Sequence, residues 1–229
     1  MPVIVITGVS KRLGLALAEH FLVLGYQVVG NIRSFNQATR ALQSKGIDIV
    51  QCDLTIESEV TAFIQHIKTQ YKQINVLIHN ASEWLPDQEP FKQTIESMMN
   101  IHAVIPYTMN MALTENLCAN SNIIHITDYV ANTGSDKHMA YAASKAALEN
   151  LTLSFAKKLA PKTRVNAIAP ALLKFNSGDS DDYKTKAKGK NILHKEGGFT
   201  SAILSVEYLI NNDFITGRIL PLDGGRHLK

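Results

Sequence analysis

Apolar residues fall along this chain in short, nearly unbroken runs, separated by longer stretches with helical spacing. The runs lie at 3–6, 27–32, 47–52, 75–78, 122–127 and 165–168. Each is β-branched or almost wholly apolar, as parallel strands covered on both faces must be. Between them, 13–24, 37–43, 57–71, 96–117 (with a break at Pro106) and 139–159 carry the three-and-four spacing of helices. Strict alternation of this kind implies right-handed strand–helix–strand units and an α/β fold with a doubly wound parallel sheet. No linker divides the chain, so 1–229 reads as a single domain. The least regular stretch, 174–198, is rich in Lys, Asp, Ser and Gly and has almost no apolar face. A long polar segment late in a compact domain is expected to be a lid or binding loop, with plain disorder as the alternative.

Composition narrows the class. With 229 residues, 45% apolar and 19% charged, the chain can bury a full core, and it is neither a disordered chain, a coiled coil nor a disulfide-rich miniprotein. The net charge of +3 is too small and too dispersed for a nucleic-acid surface, although it suits an anionic small molecule. Two cysteines, Cys52 and Cys118, form no metal or disulfide framework and read as buried thiols; no metal site is expected. The chain enters its first apolar run without a basic leader, and no apolar stretch reaches the roughly 20 residues of a membrane span. A cytoplasmic protein with no membrane partner is the expectation.

The first turn carries the first chemistry. After the run at 3–6 comes Thr7-Gly8-Val9-Ser10-Lys11-Arg12-Leu13-Gly14, followed by a helix. Glycines there allow a tight turn and let a phosphate approach the free N–H groups of a helix N-terminus. The spacing is not the common dinucleotide fingerprint, and on its own it suits a bland turn equally. Its place in a strand–helix series favours a nucleotide. No acid occurs from residue 21 to 47, where an NAD-binding fold would hold the ribose hydroxyls. The second run ends instead in Arg33-Ser34, a guanidinium and a hydroxyl suited to a 2′-phosphate, so NADP(H) is expected over NAD. Asp53-Leu54 suits an adenine edge, and Asp53 suits a helix cap as well.

Tyr141 and Lys145 are four residues apart at the start of a helix and share a face. A neighbouring ammonium lowers a phenol's pKa, making Tyr141 a credible general acid. Together with Asn80-Ala81-Ser82, Arg164-Val165-Asn166…Pro170 and Thr216-Gly217…Asp223-Gly224-Gly225, these motifs resemble the short-chain dehydrogenases/reductases over nearly the whole chain. The resemblance implies a Rossmann-type sheet of about seven strands, a nicotinamide cofactor, Tyr as proton donor and a homotetramer. Within that family, Arg12 stands where the turn usually has a glycine, and Asp128 stands where the catalytic serine belongs, thirteen residues before Tyr141. Both departures are similar to the pteridine reductase branch. So is Trp84, the one tryptophan in the chain, at the place of an aromatic that stacks the pterin. A lone tryptophan is otherwise commonly a core residue. Aligned on Pro106-Tyr107, the resemblance puts His102 in the place of the family's helix asparagine, with Asn100, on the opposite side of a helix, as the alternative.

The resemblance therefore implies NADPH-dependent reduction of a 7,8-dihydropterin, with hydride to C6 and a proton from Tyr141 to N5. Gly8, Ser10, Arg12, Leu13 and Gly14 would hold the pyrophosphate, and Arg33 and Ser34 the 2′-phosphate. Asp53 and Leu54 would meet the adenine, Asn80, Ala81, Ser82 and Lys145 the ribose side, and Pro170 and Leu172 the nicotinamide. Arg12, Trp84, Asp128 and Tyr141 would contact the pterin. An anionic Asp128 would oppose Lys145 by raising the Tyr141 pKa; orienting Tyr141, relaying its proton and holding the pterin amino group are the three roles open to it. The alternatives are a carbonyl or 3-oxoacyl thioester reductase of the same family, against which Asp128 weighs, and a catalytically silent NADP(H)-binding regulator.

Overall fold

A computed structural model describes residues 1–229. Seven strands form one all-parallel sheet: β1 (Val3–Ile6), β2 (Gln27–Ile32), β3 (Asp48–Gln51), β4 (Ile74–His79), β5 (Leu117–Ile126), β6 (Thr163–Pro170) and β7 (Ile219–Leu222). Their order is β3-β2-β1-β4-β5-β6-β7, so the winding reverses between β1 and β4. The six runs read from the sequence are all strands. The seventh, implied by family resemblance alone, contains Pro221, which has no N–H for a ladder and is tolerated here because β7 is an edge.

Alternation along β1 shows how the two faces are filled. Val3 and Val5 pack into a cluster with Phe63, Met109, Leu113 and Phe155, while Ile4 and Ile6 pack into another with Leu17, Phe21, Val206 and Leu209. The first layer is built by α3 (Glu57–Gln70), α5 (Ile105–Leu113) and α7 (Met139–Leu159). The second is built by α1 (Arg12–Val23), α2 (Gln37–Ser44) and α9 (Gly198–Asn211). Burying a side chain such as Leu17 or Phe21, both essentially unexposed, contributes about 1.5–3 kcal/mol each. Arg164 of the family-like Arg164-Val165-Asn166 segment donates to the carbonyls of Leu209, Ile210 and Asn212, closing the C-terminal end of α9.

Three stretches differ from the pattern reading. The helix expected at 96–117 begins earlier, as α4 (Phe91–Met99), and widens into a π turn over Asn100–Val104 before α5. Pro106 can supply no N–H to an α-helical ladder, and the wider turn, with the Ile105 N–H bonded to the Asn100 carbonyl, accommodates it. The polar stretch 174–198 contains a short helix, α8 (Asp181–Lys188), and α9 follows it; a four-residue helix, α6 (Val130–Thr133), precedes α7. Cys52 is buried, which with nearby Glu59 and Asp53 pushes its thiol up to about 12, whereas Cys118 is only half-buried, its sulfur accepting from Asn75. No helix is long and apolar enough to cross a membrane.

A polar chain runs through the core beneath the cleft described below. His79 Nε2 meets Asn110 Oδ1 at 2.8 Å, Asn110 Nδ2 lies 3.2 Å from His125 Nε2, and His125 Nδ1 lies 2.8 Å from Thr152 Oγ1. All four residues are buried. Burial lowers the His79 pKa to about 4, and burial with the neighbouring His79 and Lys145 holds His125 well below 6.5. His102, also buried, is pushed down to about 2. These three histidines stay neutral in the folded protein but gain protons on unfolding below about pH 6.5. Their contribution is present above that pH and lost as pH falls: urea titrations should find the protein about 4 kcal/mol less stable near pH 5.5 than near pH 7.5. An unchanged unfolding free energy between those conditions would contradict the neutral assignment.

Candidate active site

The carboxyl ends of β1, β2, β4, β5 and β6 open into a cleft of about 640 Å³ at the point where the winding reverses, as expected for an open parallel sheet. Every residue read from the sequence as catalytic or as a cofactor or substrate contact lines it except Ser34; His102 and Asn100, the two candidates for the family's helix asparagine, lie outside its lining. β2 ends at Ile32 and the chain bends over residues 33 and 34; Arg33 lines the cleft and Ser34 does not.

The first turn is shaped by residues that the sequence reading gave other roles or did not name. Gly14 packs against the turn so closely that a Cβ would stand 2.1 Å from the Gly8 carbonyl oxygen. Arg12 keeps a left-handed backbone, φ +53°, in the place of the family's glycine. The amides of Arg12, Leu13 and Gly14, in the first turn of α1, have no acceptor within the chain, and all three residues line the cleft. Asn80 turns its amide to the carbonyls of Thr7 (3.0 Å) and Gly8 (3.1 Å), so its side chain braces the turn. Buried Asn31, absent from the sequence reading, accepts from the Gly8 N–H (2.9 Å) and donates to the Cys52 carbonyl (3.0 Å). Asp53 accepts from the backbone and hydroxyl of Thr55, which lowers its pKa; this closes a turn before α3 and does not cap that helix, which starts at Glu57.

Arg12 departs from its expected direction. Its guanidinium donates to Asn176 Oδ1 (2.8 Å) and the Lys174 carbonyl (2.6 Å), 5.7 Å from the Phe199 ring centroid. It ties the cofactor-side turn to the start of the polar segment, at the rim of the cleft. Arg226, near the C-terminus, lies 4.4 Å over the ring of Tyr129, next to Asp128 in the chain, and His227 bonds Asp223 at 2.7 Å.

At the inner wall, α7 carries Tyr141 and Lys145. The Tyr141 hydroxyl donates to Asp128 Oδ2 at 2.9 Å, and Asp128 Oδ1 accepts from the Val130 N–H, which orients the carboxylate. Burial raises the Asp128 pKa, against the pull of that N–H and of Lys145. Burial and the Asp128 charge raise Tyr141 well above 10. The expected lowering by Lys145 is not realised. The ammonium lies 5.6 Å from the Tyr141 ring centroid and is bonded to the Ile126 carbonyl, whereas Asp128 touches the hydroxyl itself. Lys145 is itself buried, which brings its pKa down to about 8 against the favourable charge of Asp128.

His102, not Asn100, reaches this wall. Its Nε2 lies 2.8 Å from Ser82 Oγ, its Nδ1 lies 2.8 Å from Ser144 Oγ, and its ring meets that of Tyr141 edge-on at 5.3 Å. Ser144 donates its hydroxyl proton to the Tyr141 carbonyl, so the Nδ1–H tautomer of His102 completes the network and Ser82 donates to Nε2. Burial and the charge of Lys145 keep the ring neutral. Replacing Asn31 with Ala should leave the Gly8 N–H and Cys52 carbonyl unpaired and cost about 1–3 kcal/mol in a denaturation experiment, with weaker binding of a dinucleotide in a titration.

Residues 2–184 match the short chain dehydrogenase family. The chain is 43% identical to the dihydromonapterin reductases of Citrobacter koseri and Escherichia coli strain K12, over 99% of this chain and 97% of each relative. Among solved structures it is similar to FolM alternative dihydrofolate reductase 1 from Brucella canis, complexed with NADP (TM-score 0.89, 26% identity, covering 100% of this chain and 94% of that one). A short-chain dehydrogenase/reductase from Brucella melitensis shares the fold, with a TM-score of 0.89 and 19% identity over 98% of this chain and 96% of that one. A parallel seven-stranded sheet, a cleft at its winding reversal and a match over most of the chain place this protein in the short-chain dehydrogenase family.

Proposed function

We propose that this protein is an NADPH-dependent reductase of 7,8-dihydropterins, acting on dihydromonapterin and on dihydrofolate as a related substrate. The observation that carries the reading is the hydrogen bond from the Tyr141 hydroxyl to the Asp128 carboxylate, in a cleft whose outer wall is the exposed ring of Trp84. Both a carbonyl and an imine take up a proton on reduction; a carbonyl oxygen is served by a neutral hydroxyl beside the phenol, whereas the more basic imine nitrogen suits an ionisable acid coupled to the phenol.

The residues present fit NADPH. The open amides at the start of α1 suit a pyrophosphate, and exposed Arg33 just past β2, its charge felt by Asp53 across the cleft and with no acid following it in the chain before Asp48, suits a 2′-phosphate. Bound NADPH supplies the hydride that reaches C6 of the pterin. Buried Lys145 stands on the ribose side and holds positive charge beside the reacting groups below about pH 8. Trp84 offers a flat apolar face on which the pterin ring stacks. Tyr141, kept protonated by its surroundings, delivers a proton to N5 as the C6=N5 double bond is reduced to a single bond. Asp128 accepts from that hydroxyl and, with its own raised pKa, takes up a proton from water after the transfer and passes it to the Tyr141 oxygen. Residues 174–198 act as the lid of the one domain, latched through Arg12. The exposed stripe Val104, Tyr107 and Met111 supports self-association into a homo-oligomer.

The deciding assay follows NADPH oxidation with dihydromonapterin, dihydrofolate and an acetoacetyl thioester. Turnover of the first two and not the third is expected; the reverse would favour a thioester reductase, and tight NADPH binding without any turnover a silent binding protein. Tyr141→Phe should lower kcat by at least about 100-fold, the scale of a lost general acid. Arg33→Ala should weaken NADPH binding by about tenfold while leaving NADH binding nearly unchanged, as measured by titration. Equal losses for the two cofactors would remove Arg33 from the phosphate site.

A further inference from the structure

Trp84 does not stand alone on the cleft wall. The imidazole of His138 lies against the indole with centroids 3.9 Å apart and planes at 26°, a stacked pair. Trp84 lines the cleft and His138 does not, so the imidazole covers the indole face turned away from the bound ring and leaves the other face open. The His138 ring is held in turn: its Nδ1 lies 3.0 Å from the Leu85 carbonyl, which has only an acceptor to offer, so this nitrogen carries the proton. The segment after Trp84 is also tied to the start of α7. Asp87 accepts from the N–H groups of Met139 (2.6 Å) and Ala140 (3.1 Å), bonds that lower its pKa and cap the helix.

We infer that His138 is a positioning residue for substrate: it is the rear plate that fixes the Trp84 indole, and with Asp87 it joins the stacking surface to the helix that bears the proton donor. The physical argument is one of orientation. Trp84 is 63% exposed, and an indole on an exposed loop samples several rotamers unless a neighbour holds it. Each rotamer frozen only on binding weakens affinity. A ring stacked behind it removes that loss and sets the tilt of the open face. His138 lies three residues before Tyr141, and the Asp87 cap holds the two residues between, so the tilt of the stacking plate and the position of the phenol are set by one unit. A pterin on the open face then meets Tyr141 at a height decided by His138, although His138 touches neither substrate nor cofactor. The identity of the ring on the open face rests on the dihydropterin reading; the rear plate does not.

The test uses the fact that Trp84 is the one tryptophan of the chain, so indole-selective emission reports on it alone. His138→Ala should make that emission more accessible to acrylamide in the free enzyme. It should also raise the KM for 7,8-dihydropterin about five- to tenfold, with a smaller change in kcat and an unchanged Kd for NADPH. His138→Phe, which restores a flat ring without the bond to Leu85, should recover both readouts; His138→Gln, which restores a donor without a ring, should recover neither. Acrylamide accessibility unchanged in His138→Ala, or rescue by Gln as complete as rescue by Phe, would overturn the inference. If His138→Ala fails to fold, the Phe and Gln variants carry the same comparison. Failure of the wild-type enzyme to reduce or bind dihydropterin would count against the substrate reading, and the accessibility series would still decide the rear plate.

Discussion

Lys145 places a cation almost wholly out of water, and the catalytic half of the cleft is arranged around that constraint. An ammonium in such a place needs an acceptor and a counter-charge. The Ile126 carbonyl at the end of β5 supplies the first, and Asp128, two residues further on, supplies the second. Burial, with the charge of Lys145 as a further contribution, keeps His102 and His125 neutral, and each ring bonds its partners Ser82, Ser144 or Thr152 as a neutral imidazole. Tyr141 therefore works between an acid and a serine whose own proton is directed to His102. The phenol is held as a donor by burial and Asp128, and the proton chemistry belongs to the coupled pair, not to either residue alone.

The half of the cleft proposed for the cofactor is shaped by a different demand, which on that proposal is close approach of backbone to an anion. Gly8 and Gly14 allow the chain to fold back on itself, Asn31 and Asn80 fix that turn from β2 and β4, and the first amides of α1 are left open. Arg12 shows how the branch departs from its family without losing the turn. Its backbone keeps a glycine-like conformation, at about 1–2 kcal/mol for a left-handed residue, while its side chain reaches across to Lys174 and Asn176. A residue at the pyrophosphate turn thereby holds the polar segment that borders the substrate side.

Much of the fold was legible because it depends on local pattern. Strands buried on both faces read as apolar runs wherever no proline intervened; β7, with Pro221 on an edge, gave no such run, and a seventh strand was implied only by the family resemblance. Helix α8 was missed because it is eight residues long and buries only Ala187, so it carries no apolar stripe. The π turn before Pro106 left a signal, the proline itself, but its consequence did not follow from spacing: the choice between Asn100 and His102 turns on the widened turn, which ideal helical periodicity does not contain. The cleft residues were legible as family motifs, and the buried links behind them were not. His79, Asn110, His125 and Thr152 come from four elements, and Trp84 and His138 stand 54 residues apart, so no local pattern marks either association.

By itself, the sequence determined the layers, the strand–helix alternation, the cofactor turn, the absence of an acid after β2, and the pairing of an aspartate with the Tyr–Lys helix. Those are properties of residue type and spacing along a chain. Tertiary structure decided what the charged and aromatic groups do: that Tyr141 is raised and not lowered, that Arg12 reaches to the rim and not inward, that Asn80 braces the turn, and that Trp84 is backed by an imidazole. Each of these depends on burial and on a partner from a remote segment. Such partners meet only when the sheet has formed, because protonation and orientation follow the local dielectric and the nearest donor, not the order of residues in the chain.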